Sequence, residues 1–325
     1  MFSYILRRLA MSIPTLVVAS FFVFVLVAAS GDPLAELRAN PGISDATINA
    51  REQELNLDEP LLSQYRVWAT NAVQGDLGES VQFNEPVSEV LARRLGVTFR
   101  LVFLATIIGV VVAVFIGVVA AVKQYSLFDH GSTFLAFVFF SMPVFWLAAV
   151  LKDAGIRMND RFGQTIFYTV GERTPNLDAG FIGQLTDRAG HLLLPSLTLI
   201  LISVAGWSRY QRASMRDVLH TDYVRTARAK GLSESQVLGR HALRNALVPV
   251  VTVVALDFGA ILGGAIVTER VFAWKGMGTL LIESLQNQDT PMVQGWLLAS
   301  AVIVIMFNFA ADIFYGYLDP RIRRA

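Results

Sequence analysis

Two carboxylic acids and one amide occur inside long apolar stretches in the C-terminal third of the chain. Asp257 lies near the middle of one stretch, whereas Asn308 and Asp312 stand four residues apart on one helical face of the next. If these stretches span a membrane, such groups either line a polar path or hydrogen-bond to a neighbouring helix. Both roles stay open for Asp257, and the structural role is favoured for Asn308 and Asp312, which lie nearer a membrane surface.

A second candidate site is the basic segment 221–249, which separates two apolar stretches. Thr221 or Asp222 can cap a short helix that runs to Lys230. Gly231 then supplies the left-handed residue that often ends a helix. This pattern predicts a helix with a defined start and stop.

Ser233 and Gln236 form the pattern of a capping box, which predicts that a second short helix begins at once. Helices of this length are marginal alone in water, so we expect them to dock on something. From charge alone, a basic loop near anionic headgroups is an equal alternative. The two successive caps favour a shaped docking element.

Motifs of catalysis and cofactor binding are absent. The sequence contains neither a GxxxxGK[ST] nucleotide loop nor a GxSxG nucleophile motif. Without cysteine it forms no disulfide or thiolate metal site, and its four histidines lack metal-ligand spacing. We therefore expect no enzyme activity and no cofactor or metal in this chain.

The composition is that of an integral membrane protein. Of 325 residues, 54% are hydrophobic and 16% are charged, and the mean hydropathy is +0.51. The net charge of +1 is uninformative as a total, because the distribution of charge along the chain carries the signal. The basic residues do not form a patch with stacking aromatics, which excludes a nucleic-acid-binding surface.

The apolar stretches predict an all-α protein with six membrane-spanning helices. The first is long enough to favour a retained helix over a cleaved signal peptide. The third contains Pro143, whose freed carbonyl a neighbouring helix can satisfy. The predicted spans are residues 9–29, 101–122, 132–151, 191–207, 246–268 and 296–318.

The distribution of basic residues predicts the orientation. Eight lysines and arginines lie in the single stretch 208–245, and further ones flank the N-terminus and form the tail Arg321, Arg323 and Arg324. This density places both termini and 208–245 in the cytoplasm. We expect an N-terminal spanning helix in 1–30, an extracytoplasmic loop or subdomain in 31–96 and a transmembrane core in 97–325.

Small residues recur every four positions in two of the spans. Such stripes permit close contact between helices. Packing within the chain is the favoured interpretation, and a dimer face is the alternative. The stripes consist of Gly109, Ala113, Gly117 and Ala121, and of Gly259 and Gly263.

Nearly the whole chain resembles the permease subunits of bacterial ABC importers, specifically the first permease of dipeptide and oligopeptide systems. Each motif alone is weak, but together they are highly specific. The resemblance rests on LNLDEP (55–60) with Gln64, Tyr65 and Trp68, GDLGES (75–80), HLLLPSLTL (191–199), SRYQRASMRDVL (208–219), DYVRTARAKGL (222–232), HALRNALVPV (241–250), LGGAIVTERVFAWKGMG (262–278) and DxxYxxxDPRIR (312–323).

Within this family, 208–249 resembles the loop that carries the EAA motif and its coupling helix. Gly231 keeps the expected spacing, whereas Arg225 replaces the acid and Arg244 replaces a proline. The resemblance implies that the helix lies in a groove on an ATPase, with Tyr223, Val224, Ala227 and Leu232 as anchors. The implied coupling residues are Tyr223, Val224, Arg225, Thr226, Ala227, Gly231 and Leu232.

The resemblance also implies the fold of a type I ABC importer permease in the bacterial inner membrane. Its partners would be a second permease, two cytoplasmic ATPases that hold ATP and Mg²⁺, and an extracytoplasmic peptide-binding protein. The chain would form the translocation path for peptides. The alternative is a self-contained ion-coupled transporter or channel that uses Asp257 and Asp312, although no inverted repeat supports it.

Overall fold

The computed structural model describes residues 2–30, 38, 42–54 and 58–318. These residues are helical throughout apart from connections, and their one β-type pairing is an isolated bridge between Glu79 and Pro86. The helices are α1 Phe2–Ser30, α2 Asp45–Glu54, α3 Leu61–Val73, α4 Val87–Val122, α5 Leu127–Ser141, α6 Val144–Phe162, α7 Phe181–Leu219, α8 Asp222–Ala229, α9 Glu234–Gln236, a π-helical turn Val237–Ala242, α10 Leu243–Val271, α11 Met277–Gln286 and α12 Thr290–Leu318.

The prediction of a multi-pass helical membrane protein is confirmed. Within the described part of the chain, five helical stretches are long and apolar enough to cross a membrane, and a bent pair of helices gives a sixth if the pair counts as one span. The five are Leu6–Ala29, Val87–Val122, Phe181–Leu219, Glu234–Gly259 and Thr290–Ile313.

The bent pair corrects the prediction of one continuous span at 132–151. Helices α5 and α6 meet at an angle of 106°. Pro143 occupies the N-cap of α6, and Met142 before it is extended, with φ −80° and ψ 129°. Proline lacks an N–H and disfavours a helical residue before it, so the helix ends there and starts again.

The polar flanks of several spans are helical as well. Helix α7 has 39 residues, about 58 Å of helix, and extends beyond the predicted 191–207 at both ends. The helix that starts at Ser233 was expected to be separate, but it continues through the π-helical turn into α10. The segment 221–249 therefore contains one short helix, α8, and the start of a long one.

The chain divides into two compact units. The first comprises Met1–Ile5, Val97–Gly278 and Phe307–Ala325, and the second comprises Leu6–Gly96 and Thr279–Met306. The predicted basic tail at 321–324, residues 55–57 of the LNLDEP motif and the side-chain environment of Gly263 lie outside the described residues.

In the second unit, aromatic rings hold α3 against α1. Tyr65 packs edge-on against Phe21, with ring centroids 5.1 Å apart, and its hydroxyl lies 2.9 Å from Ser20 Oγ. Trp68 lies 5.6 Å from Phe24. The motif residues Tyr65 and Trp68 therefore fasten α3 to an apolar helix.

In the second unit, the last residue of the GDLGES motif, Ser80, binds a buried carboxylate. Asp289 is fully buried and accepts hydrogen bonds from the Ser80 hydroxyl, from Gln82 N at 3.2 Å and from Met292 N at 3.2 Å. These bonds offset the cost of burying the charge. They fix the 75–86 loop to the start of α12.

In the first unit, the stripe of small residues on α4 packs against α7. A Cβ on Gly109 would touch the Trp207 ring at 3.1 Å, and a Cβ on Gly117 would overlap Gln211. Ala113 between them is fully buried. Packing within the chain is thus confirmed for this stripe, because its glycines let the two helices approach closely.

Glu269, near the end of α10, accepts hydrogen bonds that hold the following connection in place. It is fully buried and accepts hydrogen bonds from the Thr98 hydroxyl and from Gly278 N at 2.8 Å. A Cβ on Gly276 would collide with both Glu269 and Thr98. The glycines of the TERVFAWKGMG motif therefore let this turn close around the carboxylate.

The close packing at Gly117 gives the first testable prediction. Gly117→Ala places a methyl group against Gln211 and the Ser208 carbonyl, and we expect it to lower the stability of the detergent-solubilised chain by about 1–3 kcal/mol through overpacking. Thermal unfolding measures the effect. Gly131→Ala is the matched control, because its Cβ meets nothing within 4 Å; equal melting temperatures for the two variants would contradict the packing.

Candidate functional site

The caps of the 221–249 segment are largely as predicted. Thr221 occupies the N-cap of α8, but its hydroxyl donates to Val218 O at 2.6 Å and makes no cap hydrogen bond. Gly231 has φ +76°. Its N–H donates to Arg228 O at 2.9 Å. The left-handed ending of α8 is therefore confirmed, whereas a side-chain cap at its start is not formed.

The capping box at Ser233 is present. Ser233 N–H donates to Gln236 Oε1 at 3.3 Å, and the Ser233 hydroxyl oxygen in turn accepts from the backbone N–H of Gln236. The turn between α8 and α9 is braced by Arg228, whose Nε donates to Glu234 Oε1 at 2.8 Å. The chain therefore reverses here through a compact and well-defined connection.

One face of α8 is buried in the chain itself. Val224 is fully buried and Ala227 is 5% exposed. This face belongs to an apolar cluster that brings α8 together with α4, α7, the π-helical turn and α10. The other buried members of the cluster are Ala121, Met215, Val237, Ala242 and Ala246.

The opposite face of α8 is exposed. Tyr223 is 42% exposed and Leu232, just beyond the helix, is 37% exposed; Arg225 and Thr226 are also exposed. Asn245 Nδ2 donates to the Tyr223 hydroxyl at 2.8 Å, which fixes the ring at the edge of this face. Of the side chains predicted to couple to an ATPase, these four are therefore the exposed ones.

This geometry corrects the list of docking anchors. Val224 and Ala227 were expected to insert into a partner's groove, but their side chains already pack inside the chain. A helix of this length has one apolar stripe, and here it faces the chain's own core. Val224 and Ala227 therefore connect α8 to the bundle, while Tyr223 and Leu232 remain exposed.

An ion pair that the sequence did not reveal ties α7 to the start of α5. Arg212 Nη2 donates to Asp129 Oδ2 at 2.8 Å, and Arg212 Nε binds the other carboxylate oxygen. The Asp129 side chain is 2% exposed, and it also accepts from Tyr125 N at 3.0 Å. The two partners are 83 residues apart, so no local spacing indicates the pair.

Asp257 lies on α10 and is held by a neighbouring helix. Trp207 Nε1 on α7 donates to Asp257 Oδ2 at 2.8 Å. The carboxylate is partly exposed, whereas Trp207 is 1% exposed. The hydrogen bond satisfies the indole N–H and orients the acid between α7 and α10.

Asn308 and Asp312 both lie on α12 and are partly buried. Helix α12 meets α10 where the rings of Phe307 and Phe258 stack, with centroids 3.4 Å apart. Each of these phenylalanines is adjacent in sequence to one of the predicted polar residues. In the first unit, the structure therefore brings together the two helices that carry the predicted polar residues, α10 and α12.

Among the described residues, no group of three or more histidine, aspartate or glutamate side chains is arranged to hold a metal ion. Asp257, Asp129 and Glu269 of the first unit instead accept from tryptophan, arginine and backbone donors, respectively. The site consists of contacts between helices and of hydrogen bonds and an ion pair that join them.

The bidentate pair between Asp129 and Arg212 gives the second prediction. Asp129→Asn or Arg212→Gln should each destabilise the solubilised chain by about 1–3 kcal/mol, because either change leaves a polar group inside without its charged partner. A double-mutant cycle read by thermal unfolding should show strong coupling. The exposed pair of Asp153 and Arg157 is the control, with at most about 0.5 kcal/mol expected; equal coupling in both pairs would contradict the assignment.

Comparison with known proteins identifies the family. The model of the "Binding-protein-dependent transport system inner membrane component" matches residues 113–324, and that of its N-terminal part matches residues 1–102. In overall fold, the chain matches a protein of the MetNI methionine ABC transporter in an inward-facing conformation, with TM-score 0.54 and 16% identity over 71% of this chain and 96% of the other.

Curated relatives resemble the chain over nearly its full length. The oligopeptide transport system permease protein OppB of Mycobacterium tuberculosis is 39% identical over 98% of both chains. AppB of Bacillus subtilis, also an oligopeptide permease, is 40% identical, and the dipeptide permease DppB of Escherichia coli is 38% identical, each over 99% of both chains. The chain is therefore a member of the family of inner-membrane components of binding-protein-dependent transport systems.

Proposed function

We propose that this chain is a permease subunit of an ATP-driven importer of short peptides. The observation that carries the proposal is the 38–40% identity to oligopeptide and dipeptide permeases. The similarity covers 98–99% of this chain and of each relative. The absence of a nucleotide-binding motif fits this role, because the ATPase activity then belongs to partner subunits. The chain itself is not an enzyme and holds no cofactor.

The complete transporter contains a second permease subunit, two cytoplasmic ATPases that bind ATP and Mg²⁺, and an extracytoplasmic binding protein. The exposed side of α8, with Tyr223, Arg225, Thr226 and Leu232, docks on an ATPase. Gly231 lets the chain turn away at the end of that helix. A helix-in-groove contact of this kind transmits force only if the helix is anchored on its other side.

That anchor is the apolar cluster around Val224 and Ala227. Because the cluster joins α8 to α4, α7 and α10, a displacement of α8 moves three long helices together. Close-packed interiors transmit such displacements with little compression. The movement of an ATPase is thereby converted into a tilt of the bundle.

The orientation follows from the density of basic residues. Both termini and 208–249 face the cytoplasm of a bacterium, and 31–96 and the connection between α6 and α7 lie outside the membrane on the opposite side. Residues 97–325 form the transmembrane core. Asp257, Asn308 and Asp312 line the translocation path, with Asp257 held by Trp207 in the observed state.

The third prediction tests the coupling role of Gly231. Gly231→Pro forbids the positive φ and removes the N–H that bonds to Arg228 O. We expect peptide uptake by the assembled transporter to be lost while the protein stays in the membrane, and ATP hydrolysis to become independent of the binding protein. Gly239→Ala, whose Cβ meets nothing within 4 Å, is the control, and normal uptake by Gly231→Pro would refute the coupling role.

The fourth prediction separates this function from an ion-coupled transporter. The purified chain reconstituted alone into vesicles should not accumulate a labelled dipeptide in response to a proton or sodium gradient. Vesicles with all partner subunits and ATP should accumulate it. Asp257→Asn should retain most of this ATP-driven uptake, because an amide oxygen still accepts from Trp207; gradient-driven uptake that Asp257→Asn abolishes would establish the alternative.

A further inference from the structure

A pocket of about 530 Å³ lies in the first unit, where the loop before α7 meets the turn after α10. Its volume is in the range of small-molecule sites. It is separate from the α8 surface and from the polar residues within the spans. The lining residues are Gly171, Glu172, Arg173, Thr174, Pro175, Asn176, Leu177, Gln184, Asp187, Arg188, Ala273 and Lys275.

The two acids of the pocket are already engaged by the protein. Glu172 Oε2 accepts from Arg100 Nη2 at 3.3 Å. Asp187 is 5% exposed and accepts from both the backbone N–H of Thr174, at 2.9 Å, and the Thr174 hydroxyl. Both carboxylates therefore already accept from donors within the protein.

Two basic side chains of the lining, Arg173 and Arg188, differ from the acids in this respect. Arg173 and Arg188 are exposed, and neither forms a salt bridge to a carboxylate of the described residues. Lys275 adds a third basic group to the lining. The lining therefore presents positive charge, and guanidinium groups bind carboxylates through two parallel hydrogen bonds.

Hydrogen bonds to Gly171 hold the wall of the pocket in place. His191 is 4% exposed, and its Nδ1 lies 3.0 Å from Gly171 O; because a carbonyl only accepts, Nδ1 carries the hydrogen. Gly171 N–H donates to Phe272 O at 2.8 Å, which joins the two loops. The pocket is thus preformed, which lowers the entropic cost of binding.

Two lining residues adopt a backbone conformation that L-residues rarely take. Asn176 has φ +53° and Ala273 has φ +54°. For alanine this conformation costs about 1 kcal/mol or more, and such residues are concentrated at ligand sites. Here they shape opposite loops around the same cavity.

We propose that this pocket binds the C-terminal carboxylate end of a short peptide, an assignment that rests on the proposed function. Arg173 and Arg188 pair with the carboxylate. The amide side chains of Asn176 and Gln184 are suited to the peptide backbone, and Leu177 and Pro175 supply apolar contact. Because both acids already accept from the protein, the affinity depends on the carboxylate end of the peptide and not on its N-terminal ammonium.

The test uses the full chain in discs of zwitterionic lipid and isothermal titration calorimetry. The probes are Ala-Ala, N-acetyl-Ala-Ala, Ala-Ala-amide and inorganic phosphate. We expect the acetylated dipeptide to bind as tightly as Ala-Ala, and the amide and phosphate to bind at least roughly tenfold more weakly, since each lacks either the carboxylate or the peptide backbone.

Variants locate the site. Arg173→Gln and Arg188→Gln should each weaken N-acetyl-Ala-Ala binding roughly tenfold, whereas Arg157→Gln, an exposed arginine outside the pocket, should leave it unchanged. The assignment is overturned if the wild-type chain does not bind Ala-Ala, if the amide or phosphate binds as tightly as the free dipeptide, or if all three variants behave alike.

Uptake by the complete transporter is measured in parallel. Dipeptide uptake without binding to the isolated chain would reject the pocket and leave the proposed function intact. Binding that the two pocket variants weaken, combined with the absence of peptide uptake by the complete transporter, would reject the proposed function instead. The two failures are therefore distinguishable.

Discussion

The close approach of α4 and α7 at Gly117 is the constraint on which the rest of the first unit depends. A side chain at this position would overlap Gln211 and the Ser208 carbonyl, so the two helices meet nearly backbone to backbone. The contact is tight enough to bury Gln211 completely, and its amide has no hydrogen-bond partner among the described residues. An unpaired buried polar group costs about 1–3 kcal/mol. The favourable packing of the two helices therefore exceeds the cost of leaving the Gln211 amide without a hydrogen bond.

Once α7 is placed against α4, its neighbouring turns reach three other helices. Trp207 bonds to Asp257 on α10, Arg212 pairs with Asp129 on α5, and Met215 enters the apolar cluster beneath α8. These contacts occur within about three turns of one helix. Helix α7 therefore connects the α8 surface with the acid inside the bundle.

The polar groups of the protein divide into two kinds. Asp289 and Glu269 are fully buried and surrounded by backbone and hydroxyl donors, which makes them fixed points of their loops. Asp257, Arg173 and Arg188 are partly or largely exposed and have fewer partners. Groups of the second kind exchange their partners at a lower desolvation cost.

Much of the chain could be predicted from the sequence because the signals are local. Long apolar runs determine which segments span a membrane, and Gly231 and Ser233 with Gln236 determine where the helices around 230 stop and start. The recurrence of Gly109, Ala113 and Gly117 likewise indicates a packing face, since helical periodicity places them together.

The tertiary structure alone decided which faces are used. The sequence could not show that Val224 and Ala227 turn inward, because an amphipathic helix carries the same pattern whether it packs on its own chain or on a partner. It could not pair Asp129 with Arg212, which are 83 residues apart, or place Arg173 and Arg188 in one pocket with Lys275, because no local spacing indicates such contacts. Local periodicity specifies helices and their caps, whereas the partners of each side chain depend on how the helices pack together.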